Sequence, residues 1–187
     1  MCIRDSFIVL TTQIYWLNLW NLSASLPAVN QKIFHSYEWW RLVTATLVHG
    51  DLGHLLSNLY MLSVFVFFIY GYFGLKTLTY LSLFGGSLVN LISSYTYSAN
   101  IHLLGASGLV YLLGGFWLTC YYFIQRQHSV TSRIVRVIGI SLMVFFPTSF
   151  EPTTSYRTHF IGFTIGILLG TVFFILKKKN IRDHESY

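Results

Sequence analysis

The hydrophobic residues of this chain are grouped in long blocks with short polar links between them, and they do not alternate with polar residues. A helix that crosses a lipid bilayer needs about 20 predominantly apolar residues. Six blocks approach or reach that length: residues 7–20, 54–75, 78–95, 107–124, 137–150 and 159–176. The pattern predicts an all-α membrane protein, a bundle of six transmembrane helices whose first helix is short enough to be truncated.

The composition agrees with a membrane location. Of 187 residues, 54% are hydrophobic and 10% are charged, and the mean hydropathy is +0.58. The net charge of +6 does not indicate nucleic-acid binding, because the basic residues flank the apolar blocks and do not interleave with the aromatic residues. Cys2 and Cys120 indicate neither a disulfide framework nor a cysteine metal site. We therefore expect the lipid bilayer, and no nucleic acid, as a partner.

The lysines and arginines are divided unequally between the two ends of the predicted helices. On one side lie Lys32, Arg41 and Arg157. On the other side lie eight residues: Lys76, Arg126, Arg133, Arg136, Lys177, Lys178, Lys179 and Arg182. Because loops rich in Lys and Arg stay in the cytoplasm, this asymmetry predicts two cytoplasmic termini, as in a multi-pass protein of a bacterial inner membrane.

The ends of the chain and the first long link differ from the apolar blocks. Residues 1–6 (M-C-I-R-D-S) resemble the translation of a sequencing-adapter end, and we expect them to be an assembly scar. Residues 21–53 combine aromatic and charged side chains, which is typical of short helices at the membrane–water interface. We assign residues 7–176 to one transmembrane domain and residues 177–187 to a basic cytoplasmic tail.

Polar side chains at the start of the second predicted helix form a first candidate cluster. His54 and Asn58 are four residues apart and share one helix face, Asp51 is placed to cap the helix, and His49 precedes it. Polar groups inside membrane helices are costly and face the bundle interior. A zinc site is an alternative, but His49 and His54 should diverge on a helix and no third ligand has a suitable spacing. We expect neither a metal nor a cofactor.

The second candidate is Ser107, in the small-residue turn Gly105-Ala106-Ser107-Gly108 that opens the fourth block. The first amides of a helix have no partner within the helix and the dipole is positive there, so an oxyanion formed at this point is stabilised. A serine here is a candidate nucleophile. The alternative is an ordinary helix-capping serine.

The third candidate is His159, at the start of the sixth block. Glycines follow it at three, seven and eleven residues on the same face: Gly162, Gly166 and Gly170. Such small residues let membrane helices approach closely, and the fourth helix offers small residues to receive them: Gly108, Gly114 and Gly115. This contact predicts a serine–histidine dyad of Ser107 and His159, with Tyr111 stacking on the imidazole. No aspartate within a predicted helix is available as a third member.

Together these residues resemble the rhomboid family of intramembrane serine proteases. The resemblance covers residues 37–170 and is carried by motifs in the family's order: Trp40-Arg41, His49 with His54 and Asn58, Gly105-Ala106-Ser107-Gly108 with Tyr111, and His159-Phe160-Ile161-Gly162 with Gly166. It implies a six-helix bundle that acts as a serine endopeptidase on transmembrane segments of membrane proteins. Ser107 would be the nucleophile and His159 the general base.

The resemblance also implies supporting roles. The side chains of His54 and Asn58, with the backbone N–H of Ser107, would bind the oxyanion, and His49 would hold the loop before the second helix. The family commonly has alanine before its last histidine, whereas this chain has Thr158. That extra hydroxyl is expected to bond to the histidine or to the backbone.

Two other functions fit the same residues. One is a non-catalytic rhomboid-like protein that binds transmembrane helices without cutting them, although both Ser107 and His159 are present. The other is a transporter or channel in which His49, His54 and His159 form a proton path. Transport by such a protein would survive loss of the serine.

Overall fold

The computed structural model describes residues 2–145 and 154–184, and most of these residues are helical. In chain order the elements are α1 (Cys2–Trp16), a 3-10 helix (Leu19–Ala24), β1 (Ala28–Val29), α2 (Asn30–Phe34), α3 (Arg41–Thr44), a 3-10 helix (Ala45–Leu47), α4 (Leu52–Tyr80), a π-helical turn (Leu81–Gly85), α5 (Gly86–Thr96), β2 (His102–Leu103), α6 (Ser107–Ile124), α7 (Val130–Phe145) and α8 (Tyr156–His184). The predicted all-α membrane class is confirmed.

Helix α6 lies at the centre of the bundle and has the bounds that the sequence predicts. Within the protein, 56% of its 18 residues are buried, compared with 28% of an apolar 18-residue stretch of Leu52–Thr96 and 22% of such a stretch of Tyr156–Lys177. Leu112, Leu113 and Phe116 are almost without exposure. A helix that is apolar on all sides is stable only where other helices or lipid surround it, so α6 is the helix on which the others pack.

The second and third predicted helices belong to one helical segment, Leu52–Thr96, interrupted at Gly74. Gly74 has φ +77°, a backbone conformation that favours glycine because it lacks a Cβ. The break therefore lies just before the predicted link at residues 76–77. The predicted cap of α4 is confirmed, since Asp51 Oδ1 accepts a hydrogen bond from the His54 N–H at 2.8 Å, but the helix begins at Leu52, two residues before the predicted start at residue 54.

Three helices of the described part are long and apolar enough to cross a membrane: Leu52–Thr96, Ser107–Ile124 and Tyr156–Lys177. Because Gly74 divides the first of these, they correspond to four of the six predicted crossings. Helices α1 and α7 are shorter, with 15 and 16 residues. The count of six crossings stays a prediction.

The bounds of α1 and α7 differ from the prediction. Helix α1 ends at Trp16 and not at residue 20, because Asn18, Trp20 and Asn21 have positive φ values that a helix cannot contain. Helix α7 begins at Val130, so residues 130–136, which were predicted as loop, are helical. The predicted helix 137–150 and the loop 151–157 fall partly on residues 146–153, which lie outside the described residues.

Helix α8 also extends beyond its predicted bounds. It begins at Tyr156 and continues to His184, whereas the sequence predicts a helix over 159–176 followed by a tail. The backbone therefore has no break at residue 177, where the basic tail was expected to begin.

The segment between α1 and α4 is a packed unit with short helices, as its composition predicts. Strand β1 pairs with β2 in antiparallel register, with Ala28 opposite Leu103. Arg41 is 3% exposed, and its guanidinium donates to Glu38 at 2.7 Å and to the carbonyl oxygens of Ala24 and Pro27, both at 2.9 Å. A buried guanidinium is tolerated only when its donors are paired, so Arg41 holds this segment together.

Helices α6 and α8 approach each other at backbone distance. A Cβ at Gly162 would collide with the carbonyl oxygen of Gly108, and a Cβ at Gly166 would collide with that of Leu112. In the other direction, a Cβ at Gly115 would lie 2.5 Å from the carbonyl oxygen of Phe163. Only glycine permits such contacts, which are typical of small-residue interfaces between membrane helices.

Gly114 does not face α8, and the prediction was wrong for this residue. A Cβ at Gly114 would meet the ring of Phe145 and, at 3.0 Å, the ring of Phe65. The reason is geometric, since neighbouring residues point about 100° apart around a helix with 3.6 residues per turn. Gly115 faces α8, so Gly114 faces the adjacent side, towards α4 and the end of α7.

Candidate active site

Ser107 is the first residue of α6, and Ala106 is the residue that precedes the helix without a side-chain cap. The alternative that Ser107 caps its own helix is therefore wrong. Its half-buried side chain lies beside the first amides of the helix, which have no carbonyl partner within the helix. This place favours negative charge on an oxygen atom.

The turn before Ser107 is fixed on both sides. Gly105 has φ +111°, and a Cβ there would lie 2.7 Å from Cε1 of His54, so the position requires glycine. The Gly105 N–H donates to the carbonyl oxygen of Ala45 at 2.9 Å. The Ala106 N–H donates to Nε2 of His49 at 3.1 Å. The loop that carries the serine is thus bonded to the segment before α4.

His49 is fully buried and its hydrogen bonds define its protonation. Because Nε2 accepts from the Ala106 amide, the proton of a neutral ring must lie on Nδ1, which is 3.4 Å from the hydroxyl of Thr12. Burial, followed by the nearby His54, lowers the pKa of His49 to about 4. His49 is therefore a neutral structural acceptor at physiological pH.

His54 and Asn58 lie on the face of α4 that points to this turn. The His54 ring contacts Gly105 and packs edge-on against His49, with ring centroids 5.2 Å apart. The expectation that the two histidines diverge is wrong, because His49 precedes the helix. Asn58 is 6% exposed, and its Nδ2 donates to the carbonyl oxygen of His54 at 3.0 Å.

His159 lies in the first turn of α8, against the serine-bearing face of α6. Its ring stacks on that of Tyr111, with centroids 4.1 Å apart and planes inclined by 11°. Tyr111 lies one turn after Ser107, so the two share a helix face. The Tyr111 hydroxyl donates to the carbonyl oxygen of Phe145 at 3.2 Å, which fixes the ring on which the imidazole stacks.

Both ring nitrogens of His159 are buried and have no hydrogen-bond partner among the described residues. The Ser107 hydroxyl is therefore not bonded to the imidazole in this arrangement. Catalytic hydrogen bonds are often long in an enzyme without substrate and shorten when substrate binds. Buried nitrogens without a hydrogen bond raise the free energy of the folded protein. Such unfavourable arrangements are typical of functional sites, where a bound substrate supplies the missing partner.

Thr158, the residue that departs from the family pattern, is 6% exposed. Its hydroxyl accepts a hydrogen bond from the Ser155 hydroxyl at 2.6 Å. Its methyl group lies against Gly108, where an added Cβ would be 2.9 Å from Cγ2. Thr158 thus bonds to neither ring nitrogen of His159, and the expectation of a bond to the histidine or to the backbone is wrong.

Two predicted supporting residues lie away from this cluster. The guanidinium of Arg41 donates its hydrogen bonds within the segment between α1 and α4. Trp40 is 54% exposed. An exposed tryptophan beside a membrane helix is typical of the interface with lipid headgroups. Within residues 2–145 and 154–184, no group of three or more His, Cys, Asp or Glu side chains is placed to hold a metal ion.

Several residues around the site were not found from the sequence. Thr12 and Ala45 contact it through bonds between distant segments, and nothing in a sequence pattern marks them. Phe145, whose ring packs beside Tyr111 with centroids 4.8 Å apart, is one of many apolar residues. The sequence could have indicated Ser155, since a serine just before a helical pattern favours an N-cap.

Comparison with known proteins identifies the family of this chain. A family model described as a Rhomboid domain matches residues 36–176. RHOMBOID-like protein 1 of Arabidopsis thaliana is 34% identical over 152 residues, which cover 76% of this chain and 36% of that protein. "Putative rhomboid protease YdcA" of Bacillus subtilis is 30% identical over 151 residues, 78% of this chain and 71% of that protein.

A chloroplastic relative, Rhomboid-like protein 11 of Arabidopsis thaliana, is 34% identical over 181 residues, covering 83% of this chain and 63% of that protein. The chain spans about a third to a half of the length of RHOMBOID-like proteins 1 and 5. The matched region contains α4 to α7 and the larger part of α8, and with them His49, His54, Asn58, Ser107, Tyr111 and His159. This chain is a membrane protein of the rhomboid family.

Proposed function

We propose that this protein is an intramembrane serine endopeptidase in which Ser107 is the nucleophile and His159 the general base. The observation that carries the proposal is the stacking of His159 on Tyr111, one turn from Ser107, with both imidazole nitrogens buried and unpaired. A hydroxyl becomes a useful nucleophile only when a base accepts its proton, and a neutral imidazole is suited to that at pH 7.

In the first step, Ser107 Oγ attacks the carbonyl carbon of the scissile peptide bond while its proton moves to a ring nitrogen of His159. The tetrahedral intermediate collapses when the C–N bond breaks and the imidazolium gives that proton to the departing amine. Water then attacks the acyl carbon while His159 takes one of its protons. The bond from that carbon to Ser107 Oγ breaks, the imidazolium returns the proton to Oγ, and the carboxylic acid product leaves. Both steps require that the Ser107 hydroxyl come within hydrogen-bond distance of the imidazole.

The negative charge of the intermediate needs donors at its oxygen. We assign this role to the Ser107 N–H at the start of α6 and to the side chains of His54 and Asn58. The support is the contact of the His54 ring with Gly105, together with the buried position of Asn58 one turn along α4. Preorganised donors of this kind typically each contribute 10²- to 10³-fold to kcat.

The substrates that we propose are transmembrane segments of other membrane proteins. Ser107 and His159 lie at the beginnings of α6 and α8, two helices that are apolar enough to span a bilayer. A helical backbone hides its peptide bonds, so a substrate must unwind locally before a serine can reach a carbonyl carbon. We also propose cytoplasmic termini in a bacterial inner membrane, from the unequal distribution of Lys and Arg.

The test is covalent labelling of the purified, detergent-solubilised protein with a fluorophosphonate, combined with cleavage of a test transmembrane substrate. We expect the wild type to be labelled and to cleave, and Ser107→Ala to do neither. His159→Ala should lose cleavage and most labelling while its melting temperature stays close to that of the wild type. Ser57→Ala is a matched control, because this exposed serine of α4 bonds only to its own helix.

Labelling that persists in Ser107→Ala would refute the assignment of the nucleophile. A folded wild type that binds transmembrane helices but is neither labelled nor able to cleave would favour the non-catalytic rhomboid-like alternative.

A further inference from the structure

A chain of hydroxyl groups joins the end of α5 to the beginning of α8. The Tyr97 hydroxyl lies 2.6 Å from Oγ of Ser155, and the Ser155 hydroxyl donates to Oγ1 of Thr158 at 2.6 Å. The Thr158 N–H points at the same Ser155 oxygen at 3.4 Å. Ser155 thus caps α8 with an oxygen that is also held from outside the helix.

A hydroxyl has one proton to give and two lone pairs to accept with. Since Ser155 donates to Thr158, its lone pairs accept from the Tyr97 hydroxyl and from the Thr158 amide. The one proton and both lone pairs of the Ser155 hydroxyl are therefore engaged in hydrogen bonds. Of these three hydrogen bonds, only the one from Tyr97 comes from outside the α8 end.

A second contact joins the same two helix ends. The Arg157 guanidinium donates to the carbonyl oxygen of Thr96 and lies over the Tyr97 ring, 4.7 Å from its centroid. Arg157 and Ser155 flank the first residue of α8, and both contacts reach the last turn of α5. The end of α5 itself is held to β1 and α2, because Asn30 Nδ2 donates to the carbonyl oxygen of Ser94 at 2.8 Å.

We propose that Tyr97 and Ser155 are positioning residues that set the place of His159 relative to Ser107. His159 follows Thr158 directly, and its N–H donates to the Ser155 carbonyl oxygen at 3.2 Å. The glycine interface fixes α8 from Gly162 inwards, but His159 lies one turn outside it. The Tyr97–Ser155 bond anchors that outer turn. The inference rests on the proposed function, since it assigns these residues to the same reaction.

The sharpest variant is Tyr97→Phe, because it removes one oxygen and keeps the ring that Arg157 covers. Tyr95→Phe is the matched control, since Tyr95 lies two residues earlier in the last turn of α5, is 76% exposed, and packs its ring against Phe34; no hydrogen bond of its hydroxyl is found among the described residues. Loss of one such bond corresponds to about a tenfold effect. We expect Tyr97→Phe to lower kcat about tenfold with KM within about twofold of the wild type, and Tyr95→Phe to change neither.

Conservative replacement separates positioning from bulk stability. Ser155→Thr retains the hydroxyl and should keep at least about half of kcat, whereas Ser155→Ala should lose about as much as Tyr97→Phe. The double variant Tyr97→Phe/Ser155→Ala should be no worse than Ser155→Ala alone, because both changes remove the same bond. Equal kcat in Tyr97→Phe and Tyr95→Phe, or fully additive losses in the double variant, would overturn the proposal.

Amide hydrogen exchange at residues 158 and 159 provides a readout that does not need catalysis. Exchange there should be faster in Tyr97→Phe than in Tyr95→Phe, while exchange in the glycine interface is unchanged. A wild type that cleaves nothing would refute the proposed protease activity. The exchange rates would then test only whether the Tyr97–Ser155 bond anchors the first turn of α8. Unchanged exchange in Tyr97→Phe would overturn it.

Discussion

Helix α6 contacts its two neighbouring regions in different ways. Towards α8 the contact is between backbones, with Gly115, Gly162 and Gly166 leaving no room for a Cβ. Towards α4 and α7 the contact is between aromatic side chains, where Phe145 stacks on Phe65 with centroids 5.8 Å apart and lies against Gly114. A backbone contact cannot adapt, whereas rings can change rotamer or shift. The separation of α6 and α8, the helices that carry Ser107 and His159, is therefore determined by the inflexible side.

The largest effect is expected from Gly162→Val. A Cβ at this position would collide with the carbonyl oxygen of Gly108, and neither backbone can yield without separating α6 from α8. A displacement of about 1 Å at a catalytic pair can cost about 10²-fold in rate, so we expect at least that loss of kcat/KM in cleavage of a test transmembrane substrate. Gly71→Val is the control, because a Cβ at Gly71 meets nothing within 4 Å and the variant should retain activity. Normal turnover by Gly162→Val would show that the close approach is not needed.

A second prediction concerns pH and the bond that fixes the turn before Ser107. The pKa of His49 is about 4 in the folded protein, whereas an exposed histidine of the unfolded chain has a pKa of 6.5, so the unfolded state binds more protons between these values. The stabilisation is therefore complete above pH 6.5 and is lost as the pH falls towards 4. At about 1.4 kcal/mol per pKa unit, it amounts to about 3 kcal/mol.

The variant His49→Gln isolates this contribution, because the amide oxygen can still accept from Ala106 but does not titrate. Melting temperatures measured from pH 7 to pH 4 should fall more steeply in the wild type than in His49→Gln. Parallel curves would show that protonation of His49 does not oppose folding.

The smallest effect is expected from Gly114→Ala, on the adaptable side of α6. The added methyl group meets the ends of the Phe145 and Phe65 rings, which can move aside at a cost of about 1 to 3 kcal/mol in stability. We expect kcat/KM to fall less than about fivefold, since the Ser107–His159 geometry is set elsewhere. Gly166→Ala adds the same methyl group against the Leu112 carbonyl oxygen and should lose at least tenfold more. Equal losses in the two variants would contradict the contrast between the two faces.

The regularity of the apolar blocks explains which parts of the fold were predictable. The bounds of α6 follow from the sequence because a helix surrounded by apolar neighbours is continuous and starts at a small-residue turn. The start of α7 and the end of α1 do not follow, since both adjoin polar links, and polar residues are found in helix ends and in loops alike. The break at Gly74 is decided by one positive φ value, and many glycines in the sequence look equally able to provide it.

The candidate site was partly predictable for the same reason. A polar residue in an apolar helix is conspicuous, so His54, Asn58, Ser107 and His159 stand out in the sequence. Their partners do not stand out. Thr12 and Ala45 contribute through contacts between segments more than 30 residues apart, and Tyr97 is one of 13 tyrosines.

The sequence by itself determined the membrane class, the central helix and the chemical groups of the site, because the bilayer imposes length and polarity rules on every segment that enters it. Only the tertiary structure decided that Gly115 and not Gly114 meets α8, that Ser107 does not cap its helix, and that Thr158 bonds to Ser155. These outcomes depend on the rotation of each helix about its axis. That rotation is set by packing between helices, on which local sequence patterns carry little information.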